Sequence, residues 1–96
     1  MTKDDIIRIL RANLPDLRRD YHVSTLGLFG SFVRGEQRKR SDVDLLVEFD
    51  ETPDLIRYIQ LENHLTKLVG RKVDLVMKDA LKPVIGMFVL KEVAGL

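Results

Sequence analysis

The sequence predicts a two-layer α/β domain, a small twisted sheet backed by helices. Three observations carry that reading. Segments of helical period alternate with short strands in the order α-β-(short α)-β-α-β-α. The strands have one apolar side, which packs on helices. Their other side collects aspartates, which must face solvent or a ligand.

Each element has a local cause. Residues 2–14 read as a helix: Thr2 is placed to cap it, Asp4 and Asp5 suit its first turn, and Ile6, Ile7, Leu10 and Leu14 follow helical spacing. Pro15 is expected to end that pattern, with Asp16 to Asp20 a polar connector or a short helical extension. Val23 to Phe29 forms a first strand that Gly30 interrupts, and Ser31 to Arg34 begins a short helix. Gly35 to Ser41 is a loop. Val43 to Phe49 is a second strand, with Val43, Leu45, Val47 and Phe49 on one face and Asp42, Asp44, Leu46 and Glu48 on the other. Thr52 caps a third helix with Pro53 at its first position, and Leu55, Ile59, Leu65, Leu68 and Val69 supply much of its apolar face before Gly70 stops it. Lys72 to Met77 is a third strand, with Asp74 opposite Val73, Leu75 and Met77. Asp79 caps a turn at Ala80 to Lys82, and the last helix runs from Pro83 to about Val93.

Ninety-six residues support one core, so the chain is read as a single domain, 1–96. The absence of cysteine excludes disulfides, thiolate catalysis and cysteine-based zinc sites, and suits a reducing cytoplasm. The start, MTKDDIIRILRAN, is too charged for a signal peptide, and the apolar run Val84 to Leu90 is too short to span a bilayer, so no membrane association is expected. A net charge of +1 argues against direct nucleic-acid binding, although Arg34, Arg38, Lys39 and Arg40 cluster before Asp42 and could steer a triphosphate or an acidic partner. His22 and His64 are far apart, with no second histidine at ligand spacing.

The chemistry lies in three fragments. Asp42 and Asp44 point the same way from one strand, about 7 Å apart at Cα, and side-chain flexibility lets both reach one cation. Hard oxygen donors suit Mg²⁺ or Mn²⁺. If the second and third strands are neighbours, Asp74 joins the same face, and three carboxylates match the needs of phosphoryl transfer. Gly30-Ser31, between strand and helix, lets backbone approach a ligand and offers N–H groups and a hydroxyl to phosphate oxygens. Arg34, one turn on, either meets phosphate charge or stays on the surface. Ser41 either joins the nucleotide site or caps the turn before Asp42. Each fragment alone also fits an ordinary turn or strand end; their order and strand phase are what agree.

The stretch LFGSFVRGEQRKRSDVDLLVEF, Leu28 to Phe49, resembles the minimal nucleotidyltransferase family of the DNA polymerase β superfamily: Gly30-Ser31, ten residues, then Asp42-Val43-Asp44. GRKVDLVMKDALKP, Gly70 to Pro83, resembles it as well, with Asp74 as the third carboxylate. The resemblance covers about residues 5–94 and implies a short mixed sheet with helices on one face. It implies that Gly30 and Ser31 hold the β- and γ-phosphates of ATP, that Asp42 and Asp44 bind Mg²⁺, and that Asp74 assists deprotonation of an acceptor hydroxyl. Short members are often encoded beside a HEPN-domain protein, and some act as antitoxins by transferring AMP to a tyrosine of that ribonuclease toxin. The readings left open are an active transferase, a module that neutralises its partner by contact alone, and a transferase with another acceptor.

The last helix, PVIGMFVLKEVAGL, spreads Val84, Ile85, Met87, Phe88, Val89 and Leu90 over more than one face. Residues 84–93 are therefore expected to offer a homodimer contact or a partner surface, unless the helix is simply well buried. Phe88→Asp should then shift the oligomeric state without unfolding the domain.

Overall fold

A reciprocal cap starts the first helix, α1 (Lys3–Tyr21). The Thr2 amide donates to Asp5 Oδ2 at 2.9 Å and the Asp5 amide donates to Thr2 Oγ1 at 3.3 Å. The computed structural model describes residues 1–38, 41–81 and 83–96, by backbone alone at 83–85, 87 and 88. Lys39, Arg40 and Lys82 therefore lie outside the described residues, as do the side chains of Val84, Ile85, Met87 and Phe88 on which the expected surplus surface rests.

Pro15 does not end α1, contrary to expectation. The buried stripe Ile6, Leu10, Leu14, Leu17 runs straight past it, and Pro15 itself is exposed. An interior proline costs about 3 kcal/mol. Beyond it Leu17 is buried and Tyr21 packs against the core; Leu17 alone returns roughly 1.5–3 kcal/mol, and Tyr21 adds to it, which offsets the proline.

The sheet is mixed, in the order β3 (Val73–Met77), β2 (Val43–Phe49), β1 (Val23–Phe29), β4 (Ala94–Gly95). Strand β1 runs antiparallel to β2 and β4, whereas β2 and β3 are parallel. Between them come the one-turn helix α2 (Ser31–Arg34) and the crossover helix α3 (Leu55–Val69). Leu26, Leu28, Val43, Leu45, Val47, Val73 and Leu75 form one sheet face and pack against α1 and α3 as the core. The antiparallel register puts Phe29 beside Asp44, and the parallel register puts Asp44 beside Asp74. Both aspartates thus share the opposite face, as expected if β2 and β3 are neighbours.

Helix α3 starts later than expected. Asp54, not Thr52, is its cap, accepting from the Arg57 amide at 2.8 Å. Its buried stripe is Leu61, Leu65 and Val69, four residues apart, while Leu55 and Ile59 are exposed with Ile56. Gly70 ends the helix in the left-handed region, at φ 72°.

A second stripe on α3, also at four-residue spacing, covers the outer edge of β3. Thr66 Oγ1 accepts from the Val73 amide at 3.1 Å, Glu62 Oε2 accepts from the Leu75 amide at 3.0 Å, and the Tyr58 hydroxyl donates to the Leu75 carbonyl. An otherwise unpaired strand edge is thereby satisfied on both sides of Asp74. Burial pushes the Tyr58 hydroxyl up to about 12, so it stays a donor at physiological pH.

A 3-10 turn (Lys78–Ala80) leads to α4 (Pro83–Glu92), whose C-terminal end lies against the carboxylate face. A Cβ on Gly27 would stand 2.5 Å from Val93 Cγ2, so the turn after α4 meets β1 at a place only glycine permits. The chain then forms β4, which the sequence reading lacked. Gly95 and Ala94 pair with Gly27 and Leu28, and the Leu96 amide donates to the Leu26 carbonyl at 3.1 Å. Among the described residues, no helix is long and apolar enough to cross a membrane.

Candidate active site

The site begins where β1 ends. Gly30 is buried at φ 81°, ψ −152°, a region essentially reserved for glycine. Its carbonyl accepts from the amides of Val33 and Arg34 at 3.1 and 3.2 Å, which winds the single turn of α2. The other reason for glycine is space. A Cβ at Gly30 would lie 2.1 Å from Asp44 Oδ2, so the Asp44 carboxylate rests directly against the turn.

Strand pairing sets the floor. Phe29, Asp44 and Asp74 lie side by side from β1 to β3, and Val76 follows Asp74 on the same face of β3. With Gly30, Arg34, Leu81, Val89 and Glu92 they line a cleft of about 630 Å³, in the range of nucleotide-sized pockets. Asp44 is half-buried at its centre. Burial, then the carboxylates of Asp74 and Asp42, raise its pKa above the ordinary carboxylate value, and Arg34 opposes them. Asp74 is exposed on the neighbouring strand, and Asp42 is exposed just before β2 begins. Among the described residues, no three carboxylate or imidazole side chains converge tightly enough to enclose a metal ion. The donor set still has the right chemistry: hard oxygens, one of them half-buried among like charges, at the open side of a sheet.

The remaining expected residues divide. Arg34 reaches the cleft, with its guanidinium bonded to Glu92 and Glu36, and both carboxylates raise its pKa. Ser31 is half-buried as the first residue of α2 but does not line the cleft. Ser41 serves the loop: its Oγ accepts from the Arg38 amide at 2.7 Å, and its own amide donates to the Arg38 carbonyl. Glu92 was missed altogether. It stands 62 residues from Gly30, yet its Oε2 accepts from the Gly30 amide at 3.1 Å. Its one sequence signal is weak, a lone acid closing an apolar helix.

A glycine turn pressed against a strand carboxylate, with a second carboxylate in register beside it, defines an enzyme of nucleotidyl transfer. The chain belongs to the nucleotidyltransferase domain family, which matches residues 7–94. It is 48% identical over 93 residues to the protein adenylyltransferase MntA of Thermococcus cleftensis, covering 97% of this chain and 94% of that one. Three solved structures share the fold. A putative minimal nucleotidyltransferase superposes with a TM-score of 0.82 at 34% identity, over 100% of this chain and 97% of that one. A toxin–antitoxin structure with AMP-PNP gives 0.71 at 28% identity, over 99% of this chain and 72% of the other. Tri-AMPylated Shewanella oneidensis HEPN toxin in complex with MNT antitoxin gives 0.60 at 26% identity, over 96% and 66%.

Proposed function

We propose that this chain is a protein adenylyltransferase that moves AMP from ATP to a tyrosine hydroxyl of a HEPN-domain toxin, and so acts as its antitoxin in the cytoplasm. The observation that carries the reading is the contact between Gly30 and Asp44, with Asp74 in register beside it. It sets a backbone amide and an arginine next to carboxylates on neighbouring strands, the two halves of a site for a metal-bound triphosphate. The family resemblance and the relatives' names supply the acceptor.

Gly30, Ser31 and Arg34 hold the β- and γ-phosphates; Ser41 fixes the loop that delivers Asp42. Asp42 and Asp44, with Asp74 beside them, are the donors for a divalent cation, Mg²⁺ or Mn²⁺. A cation held there would neutralise phosphate charge and polarise the transferring phosphoryl group. The acceptor oxygen bonds to the α-phosphorus, the bond to the bridging oxygen of the β-phosphate breaks, and pyrophosphate leaves. Asp74, exposed at the cleft's outer side, takes the acceptor's proton.

Mass spectrometry tests this. The protein is incubated with ATP, Mg²⁺ and the HEPN-domain product of a neighbouring gene. The expected result is one or more AMP units added to the partner, lost in the Asp42→Asn/Asp44→Asn variant. A partner that is inhibited but unmodified would instead assign neutralisation to contact.

A further inference from the structure

The C-terminal helix delivers into the cleft one carboxylate that the scheme above does not use. Glu92 Oε2 accepts from the Gly30 amide at 3.1 Å, and Glu92 Oε1 accepts from Arg34 Nη1 at 2.6 Å. These donors are the backbone amide of the glycine turn and the guanidinium beside it, two of the groups assigned to the triphosphate. A carboxylate that spans an amide and a guanidinium with separate oxygens engages them as a phosphate would. The Glu92 side chain is 21% exposed and that of Arg34 47%, so the carboxylate is the sheltered partner of the bridge.

We infer that Glu92 is an internal anion that occupies the phosphate donors, and that the triphosphate replaces it on binding. This rests on the nucleotide-binding reading of the site. The Gly30 amide has one hydrogen to donate and cannot serve two anions, and the Arg34 guanidinium is already engaged by Glu92 and Glu36. A phosphate oxygen bonded to the Gly30 amide takes the place of Glu92 Oε2, and a triphosphate beside Glu92, Asp44 and Asp74 gathers like charges in one cleft. Release of Glu92 also has a structural consequence. Glu92 ends α4, Val93 leads into β4, and β4 pairs with Gly27 and Leu28, two residues before the turn. Nucleotide entry is thus coupled to the C-terminal edge of the sheet.

The rival reading makes Glu92 a fixed support that aims Arg34 at phosphate. The two differ in sign. An occupant that holds the donors nine-tenths of the time lowers apparent nucleotide affinity about tenfold, so its removal tightens binding. Loss of a support weakens binding.

The test measures Mg–ATP affinity calorimetrically for the whole chain, for Glu92→Gln and for Glu92→Ala, and follows the Gly30 amide by ¹⁵N NMR. The expected result is tighter binding in both variants, about tenfold in Glu92→Ala and less in Glu92→Gln, whose amide oxygen can still accept. The Gly30 resonance should shift on substitution without nucleotide, and on ATP addition to the unsubstituted chain. Unchanged or weaker affinity overturns the inference; should Glu92→Ala misfold, the isosteric Glu92→Gln decides alone. If ATP binds none of the three, nucleotide binding itself fails and replacement by triphosphate falls with it. A Gly30 shift on Glu92→Gln would then still report the internal pair, which separates that failure from the first.

Discussion

Gly30→Ala and Gly35→Ala form a matched pair that isolates the contact on which the proposed chemistry depends. Both glycines have positive φ and flank the same one-turn helix. Gly30 sits at φ 81°, ψ −152°, where a side chain costs about 1–3 kcal/mol. Gly35 sits at φ 71°, ψ 19°, in the left-handed helical region, where the cost is roughly 1–2 kcal/mol. A side chain strains the backbone at both positions, more at Gly30, whose region admits essentially glycine alone. The surroundings differ further: a Cβ at Gly35 meets nothing within 4 Å, whereas one at Gly30 lands 2.1 Å from Asp44 Oδ2 and 3.0 Å from its Cγ. Asp44 has to retreat by about 1 Å, a misplacement worth on the order of 10²-fold in rate. Urea melts should show both variants destabilised, Gly30→Ala the more, while AMP transfer per folded molecule at saturating ATP should collapse only in Gly30→Ala. The reasoning is refuted if Gly30→Ala keeps more than about a tenth of normal transfer, or if Gly35→Ala loses as much.

Asp44→Asn should abolish transfer yet stabilise the metal-free fold at neutral pH. The folded-state pKa of Asp44 is raised, so the folded chain binds this proton more tightly than the unfolded one, and stability is gained as pH falls through the folded value. Thermal melts in chelator should show the variant's advantage at pH 7 shrinking as the pH falls through the raised folded-state value, and levelling off once the pH is below the ordinary carboxylate range. Leu61→Ala, at a position 1% exposed, should cost about 2–5 kcal/mol in a urea melt, and Leu55→Ala, at 73%, within about 0.5 kcal/mol. Tyr58→Phe should cost about 1 kcal/mol by leaving the Leu75 carbonyl without its hydroxyl donor, seen as faster amide exchange along β3.

Where the sequence misled, long-range packing had overridden a local rule. Proline is a sound stop signal, but it could not outweigh the burial of Leu17 and the packing of Tyr21 further along α1. On α3, Leu55 and Ile59 fit a helical apolar face as well as Leu61 does, because several stripes on one amphipathic helix share the same period. What singles out 61, 65 and 69 is that Tyr58, Glu62 and Thr66 must turn toward β3, and their use as an edge cover is visible only once the strand is in place. Strand β4 was illegible for a different reason. Two residues, Ala94 and Gly95, carry no alternation to read, and their pairing with β1 depends on where α4 sets them down.

The site divides along the same line. Gly30, Asp44 and Asp74 were legible because strand phase is local, and phase decides which face a carboxylate takes. Register decides the rest, and it agreed: β2 and β3 pair with Asp44 opposite Asp74. Glu92 could not be read from spacing, because its role exists only where the end of the chain folds back over its first βα turn. That same return makes the cleft a closed circuit. The Gly30 turn is bonded to Glu92 at the end of α4, β4 follows, and β4 lies on the strand that leads into the turn. A ligand that breaks the Glu92 contact must therefore be felt at β4 as well as at Gly30.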